Sequence, residues 1–190
     1  MEIGSFVVLG VLAAALIYGI IIYNSLVSLK HGIVKAWANI DVLLKQRHDE
    51  LPKLVDTCKR YMRHEQDTLE QVMRARAAVS AAGAKGDMAA LGSAENQLRL
   101  GLGSLFALAE AYPELKANET FRHLQERITG LEESIAHRRE FYNESVNLNN
   151  VRIDQFPDLI LARMFGFSPG EPLEFSSQGV SDVNVGRLFG

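Results

Sequence analysis

From Ile3 to Tyr23 the chain reads IGSFVVLGVLAAALIYGIIIY, without one charged side chain. About 20 apolar residues, each rising about 1.5 Å, cross a hydrocarbon core about 30 Å thick. The run therefore predicts a membrane-spanning helix over residues 1–24, with Ile3, Phe6, Val7, Leu9, Leu12, Leu16, Ile17, Tyr18, Ile20, Ile21 and Tyr23 as its lipid-contacting residues. A cleaved signal peptide carries basic residues ahead of a shorter apolar run and a small-residue cleavage site after it. Neither is present here. Tyr18 and Tyr23 fall toward the end of the run, where an aromatic ring sits well at headgroup level.

Beyond the run, apolar residues recur at helical spacing: Leu29, Ile33, Trp37, Ile40, Leu44, Leu51, Leu54, Val55, Cys58, Met62, Leu69 and Met73. This period predicts one long amphipathic helix, continuous with the span and ending near Ala82. Pro52 is expected to kink it or to start a new helix, since proline removes a backbone donor. Trp37 is expected to be a buried aromatic of the stripe. Asp87 can cap a second helix reaching Ala111, in which Gly101 and Gly103 allow close approach of a neighbour. Asn118 can cap a third, Glu119 to about Ile153, striped by Phe121, Leu124, Ile128, Leu131, Ile135, Tyr142, Val146 and Ile153. Pro157 can open a short fourth helix, Asp158 to Phe165. The fold class predicted is all-α: a single transmembrane helix (1–24) continuing into an antiparallel four-helix-bundle-like domain (25–165), then an irregular C-terminal tail (166–190).

Charge adds an orientation. Only Glu2 is charged before the run, whereas Lys30, Lys35 and Lys45 follow it with Asp41 as the one nearby acid. Retention of lysines on the inner side predicts the main domain in the cytoplasm and the N-terminus outside, with a periplasmic domain as the alternative. The whole chain carries a formal net charge of −3 with its basic residues scattered, which argues against a nucleic-acid partner. Cys58 is the only cysteine, so an intrachain disulfide and a cysteine-based zinc site are excluded.

A search for chemistry finds no strong motif. Di-iron bundles use Glu-x-x-His pairs, and no glutamate here has a histidine three residues on. His48-Asp49-Glu50, His64-Glu65 and Glu133 with His137 are the nearest clusters, each expected on a solvated face. Arg138-Arg139 beside Glu132-Glu133 reads as surface ion pairs along one helix. Asn143, Asn147, Asn149 and Asn150 are poor helix formers; the local reading, a helix fraying ahead of Pro157, is preferred to hydrogen bonding between elements. No catalytic, cofactor or metal residue is assigned.

The blocks YNSLVSLKHGIVKAWANIDVLLKQRHDELPKLVDTCKRYMRHE and YPELKANETFRHLQERITGLEESIAHRREFYNESVNLNNVRIDQFP, with the Gly166-Phe167 pair and Glu174-Phe175, resemble the LemA family. The resemblance covers nearly all of the chain after the span. It implies a bacterial inner-membrane protein with a cytoplasm-facing four-helix domain, and it supplies neither a reaction nor catalytic residues. Some relatives act at magnetosome membranes, which makes membrane organisation a reasonable expectation.

The function expected is a membrane-anchored helical scaffold or assembly protein without catalytic activity. The alternatives are a cryptic metal-dependent hydrolase using His48, Asp49 and Glu50, and a transmembrane signal receiver. Partners expected are the lipid bilayer, further copies of the chain and an unidentified protein. Anchored copies meet in one orientation, which favours cyclic assembly. Val180, Val183, Val185, Leu188 and Phe189 in the tail are the candidate oligomer contacts.

Overall fold

The uncharged run and the amphipathic period that follows it form one helix, α1, Glu2–Lys59. The computed structural model describes residues 2–174, with side chains from Gly4 onward. After α1 come α2 (Gln66–Lys85), α3 (Met88–Ala109), α4 (Pro113–Lys116), α5 (Glu119–Asp154) and α6 (Asp158–Met164). No strand occurs among the described residues. The predicted all-α class and the long apolar N-terminal helix are both present.

The long amphipathic element ends before the expected Ala82, and of the two expectations for Pro52, a kink or a new helix, the new helix does not occur. Pro52 lies inside α1 and does not end it. A proline at this position deprives the carbonyl four residues earlier, that of His48, of its helical donor. Arg76 of α2 supplies the replacement, its Nε donating to the His48 carbonyl at 2.8 Å. The break comes instead at 60–65, in a stretch with neither glycine nor proline, where the amides of Tyr61 and Met62 both donate to the Cys58 carbonyl. Replacing Arg76 by Met should therefore cost about 1–3 kcal/mol, the cost of a buried acceptor left unmet. In a Pro52→Ala background, where residue 52 again offers an amide, the same replacement should cost less; equal losses in denaturation of the two backgrounds would refute the link.

The helix starts follow the caps read from sequence. The Asp87 side chain accepts from the Ala90 amide at 2.8 Å, and that of Asn118 from the Phe121 amide at 3.0 Å. Gly86 closes α2 in the left-handed conformation, φ 68°, which a side chain would disfavour. Pro113 begins the four-residue α4, in keeping with the preference for proline at a first helical position.

Residues group into two compact units, each holding part of α1 and part of α5. The first unit is the chain up to Arg47 with Thr129–Pro172. In it α1 and α5 are antiparallel: Trp37 meets Tyr142 edge-on at 5.9 Å between ring centres, and Arg47 pairs with Glu132. Trp37 is half-buried rather than buried. Ile22, Leu26, Ile153 and Ala162 form a buried cluster, with Leu161 and Phe167 packed against it.

The asparagines correct another expectation. α5 runs unfrayed to Asp154, and two of the four hold the extended segment after α6. Asn150 donates to the Gly170 carbonyl at 2.9 Å and accepts from the Gly170 amide at 2.8 Å, and Asn149 donates to the Ser168 carbonyl at 3.4 Å. A carboxamide offers a donor and an acceptor together, so it substitutes for a strand partner. Tyr142 adds a bond from its hydroxyl to the Glu171 carbonyl at 2.9 Å.

The second unit is His48–Ile128 with the described residues from Leu173. Its core includes Leu51, Leu54, Cys58, Leu91, Leu98, Leu105 and Phe121, all nearly inaccessible. Gly101 lets α2 approach, since a Cβ there would touch Val72, whereas Gly103 faces open space and plays no such part. Gly92 admits the Glu174 carbonyl where a side chain would collide with it. Tyr112 donates to Glu65 at 3.3 Å and Asn118 to the Tyr61 hydroxyl at 3.2 Å, which ties the 60–65 break to the α4 region.

Candidate functional site

Of the predicted lipid-contacting residues, Phe6, Val7, Leu9, Leu12, Leu16, Ile17, Tyr18, Ile20 and Ile21 are all more than half exposed, and Tyr23 is 38% exposed. The side chain of Ile3 lies outside the described residues. The helix is long and apolar enough to cross a membrane, and only 6% of its most apolar window is buried in the protein. A core helix of a folded domain would be covered, so this surface needs an apolar environment from outside. Ile22 and Leu26, which the sequence reading did not single out, turn the other way and are buried. Tyr23 packs edge-on against Phe165 at 4.8 Å and Phe167 at 6.0 Å.

Charged side chains cluster where a solvated face was expected. Arg47 is 1% exposed and bonds Glu132 across from α5. That pairing is one the spacing along α5 alone cannot reveal. Glu50 is buried too, and meets Arg127 at 2.8 Å and Lys53 at 3.4 Å. Of the His48-Asp49-Glu50 triplet, then, only Asp49 is fully exposed. Glu50 is withdrawn because it stands three residues after buried Arg47 and four before buried Leu54, on the same inward side of α1. His137 meets Glu140 at 3.7 Å on the surface.

Arg47 with Glu132, and Glu50 with Arg127 and Lys53, form ion pairs. Burial, and then the nearby Arg76 charge, hold the His48 imidazole below its ordinary range, with Asp49 opposing them. Burial pushes the Cys58 thiol up to about 12, so it stays neutral and behaves as a small apolar residue of the core. Among the described residues no three of His, Cys, Asp and Glu converge in a group that could hold a metal ion. An open groove of about 640 Å³ in the second unit is lined by Val55, Met62 and Leu69 with Lys59, Arg63 and Glu70, and brings none of the triplet together. The candidate oligomer residues Val180, Val183, Val185, Leu188 and Phe189 lie outside the described residues.

Comparison with known proteins adds a lineage to this geometry. Magnetosome protein MamQ 2 and Magnetosome protein MamQ 1 of Paramagnetospirillum magneticum are each 31% identical to this chain over 121 residues. Magnetosome protein MamQ of Magnetospirillum gryphiswaldense is 29% identical over 121 residues. In each comparison the match covers 64% of this chain and 44% of the relative, so the chain spans less than half the length of these relatives. The profile of the LemA family matches residues 36–186, which takes in most of α1 after the span and every later helix. That match takes in well over half of the chain, and the chain belongs to the LemA family.

Proposed function

We propose that the protein is a membrane-anchored helical scaffold without an active site, which forms homo-oligomers and organises a membrane-associated complex from the cytoplasmic side of a bacterial inner membrane. One observation carries the reading: the lipid-facing stretch of α1 passes into the bundle helix without interruption. Each copy is then held in a fixed direction relative to the bilayer, and copies meeting in one plane share an orientation, which lowers the entropy cost of association. Exposed Lys30, Lys35 and Lys45 after the span support a cytoplasmic bundle with the N-terminus outside. That the relatives are named magnetosome proteins supports a membrane-associated role.

The mass of the complex extracted in mild detergent tests the reading. A multiple of the chain mass is expected, falling when residues 176–190 are removed while helical circular dichroism is retained. A monomeric full-length protein overturns the assembly, and stoichiometric transition metal in the purified protein overturns the non-catalytic reading. A reporter fused after Gly190 should work only if it is a cytoplasmic one; full alkaline phosphatase activity there reverses the orientation.

A further inference from the structure

The turn from α5 into α6, and α6 itself, carry large apolar residues that stay mostly exposed. Phe156 is 82% exposed, and Ile160, Met164 and Phe165 are each more than half exposed. Ile160 and Met164 are four apart on α6 and so share one face, while Ala162 on the other face is buried against Ile22 and Leu26. Such a contiguous exposed patch marks a contact surface.

Its place along α1 identifies what covers it. In the pairs Trp37–Tyr142 and Arg47–Glu132 the two residue numbers add to the same total, and Leu26 with Ile153 in the buried cluster repeats it. Two straight antiparallel helices in constant register give this result, because both rise equally per residue. At the end of α5 the register sets Asp154 level with Ser25, two residues beyond Tyr23, where the apolar run ends. Phe165 touches Tyr23 directly. The patch is therefore continuous with the lipid-facing surface of the span, at its inner end.

The charges agree. From Gln155 to Phe167 the only ionisable side chains are Asp158 and Arg163. Asp158 is 3% exposed and paired with Arg152, so its carboxylate is withdrawn from the outer face, whereas Arg163 is exposed. An apolar face flanked by an exposed cation, with its acid turned inward and neutralised, is suited to the boundary between acyl chains and anionic headgroups.

Resting on the reading that α1 spans the bilayer, we propose that Phe156 and the outer face of α6 form a second membrane contact, an interfacial wedge lying in the headgroup–acyl boundary beside the span. Such elements sit about 5–10 Å into that boundary. The wedge gives α1 a second fixed point, so the anchor does not turn freely about its axis.

Spin labels on the full-length chain, reconstituted in vesicles of phosphatidylethanolamine and phosphatidylglycerol, test this. Phe156→Cys, Ile160→Cys, Leu12→Cys and Leu100→Cys are labelled separately; buried Cys58 is left in place, and the unsubstituted chain reports its background. All four positions are more than half exposed, so the labels disturb no packed core. Labels at Phe156 and Ile160 should collide more often with oxygen than with an aqueous nickel complex, as at Leu12, and the order should invert at Leu100. Water-like behaviour at Phe156 and Ile160 with Leu12 in lipid overturns the wedge alone. Water-like behaviour at Leu12 as well overturns the spanning reading with it. Shielding of Phe156 and Ile160 from both reagents, with broadening between labels, assigns the patch to a second copy and also overturns the wedge.

Discussion

Glu132→Ala should lower the folding stability of the protein by about 3 kcal/mol, the low end of the cost of breaking a buried ion pair. Arg47 is 1% exposed and Glu132 is 25% exposed, so the guanidinium loses an acidic partner in a place where water replaces it poorly. The companion variant decides whether the pair stabilises or only specifies. Replacing both residues, Arg47→Met with Glu132→Leu, should recover most of the loss, since an apolar pair of similar volume carries no desolvation cost. Guanidinium denaturation in mild detergent gives both values. A loss in the double variant as large as in the single one would mean that the guanidinium is held for its other polar contacts and not for Glu132.

Phe121→Ala should cost about 3–5 kcal/mol, the range for emptying a buried aromatic site. Phe121 is 2% exposed at the start of α5, where the Asn118 cap fixes the backbone and leaves little room to collapse. Trp37→Ala should cost less, about 2 kcal/mol, although tryptophan is the larger side chain. Trp37 is half-buried, and its distinct contribution is the edge-on contact with Tyr142. The same denaturation measurement compares the two, and a larger loss at Trp37 would place that ring against a covering surface outside the chain.

Much of this fold is legible in the residues because its parts obey simple periods. The apolar start of α1 is read from the absence of charge, and α3 and α5 from stripes framed by Asp87 and Asn118. The break at 60–65 is not legible, since it is made by Tyr61, Tyr112 and Asn118 reaching across the fold rather than by glycine or proline. The passage of α1 through Pro52 depends likewise on Arg76, a residue of another helix. The buried polar residues did leave a trace. The apolar stripe skips a turn between Leu44 and Leu51, where Arg47 stands, and again between Val146 and Ile153, where Asn149 and Asn150 stand. A polar residue filling such a gap is inward-facing by geometry and must find a partner. The exposed face of α6 was hidden for the opposite reason, because its apolar residues look like those of any core until their surroundings are known.

The division of the chain into two units, the second drawn mostly from one continuous stretch, has a consequence for biosynthesis. Residues 48–128 follow one another along the chain, so the segments of the second unit from α2 to the start of α5 meet as soon as they leave the ribosome. The first unit cannot close then, because the partners of Ile22 and Leu26 are Ile153 and Ala162, made much later. Domains ordinarily finish in the order in which they are translated. Here the N-terminal segment of the first unit, made first, stays without its buried partners until Ile153 and Ala162 have been made.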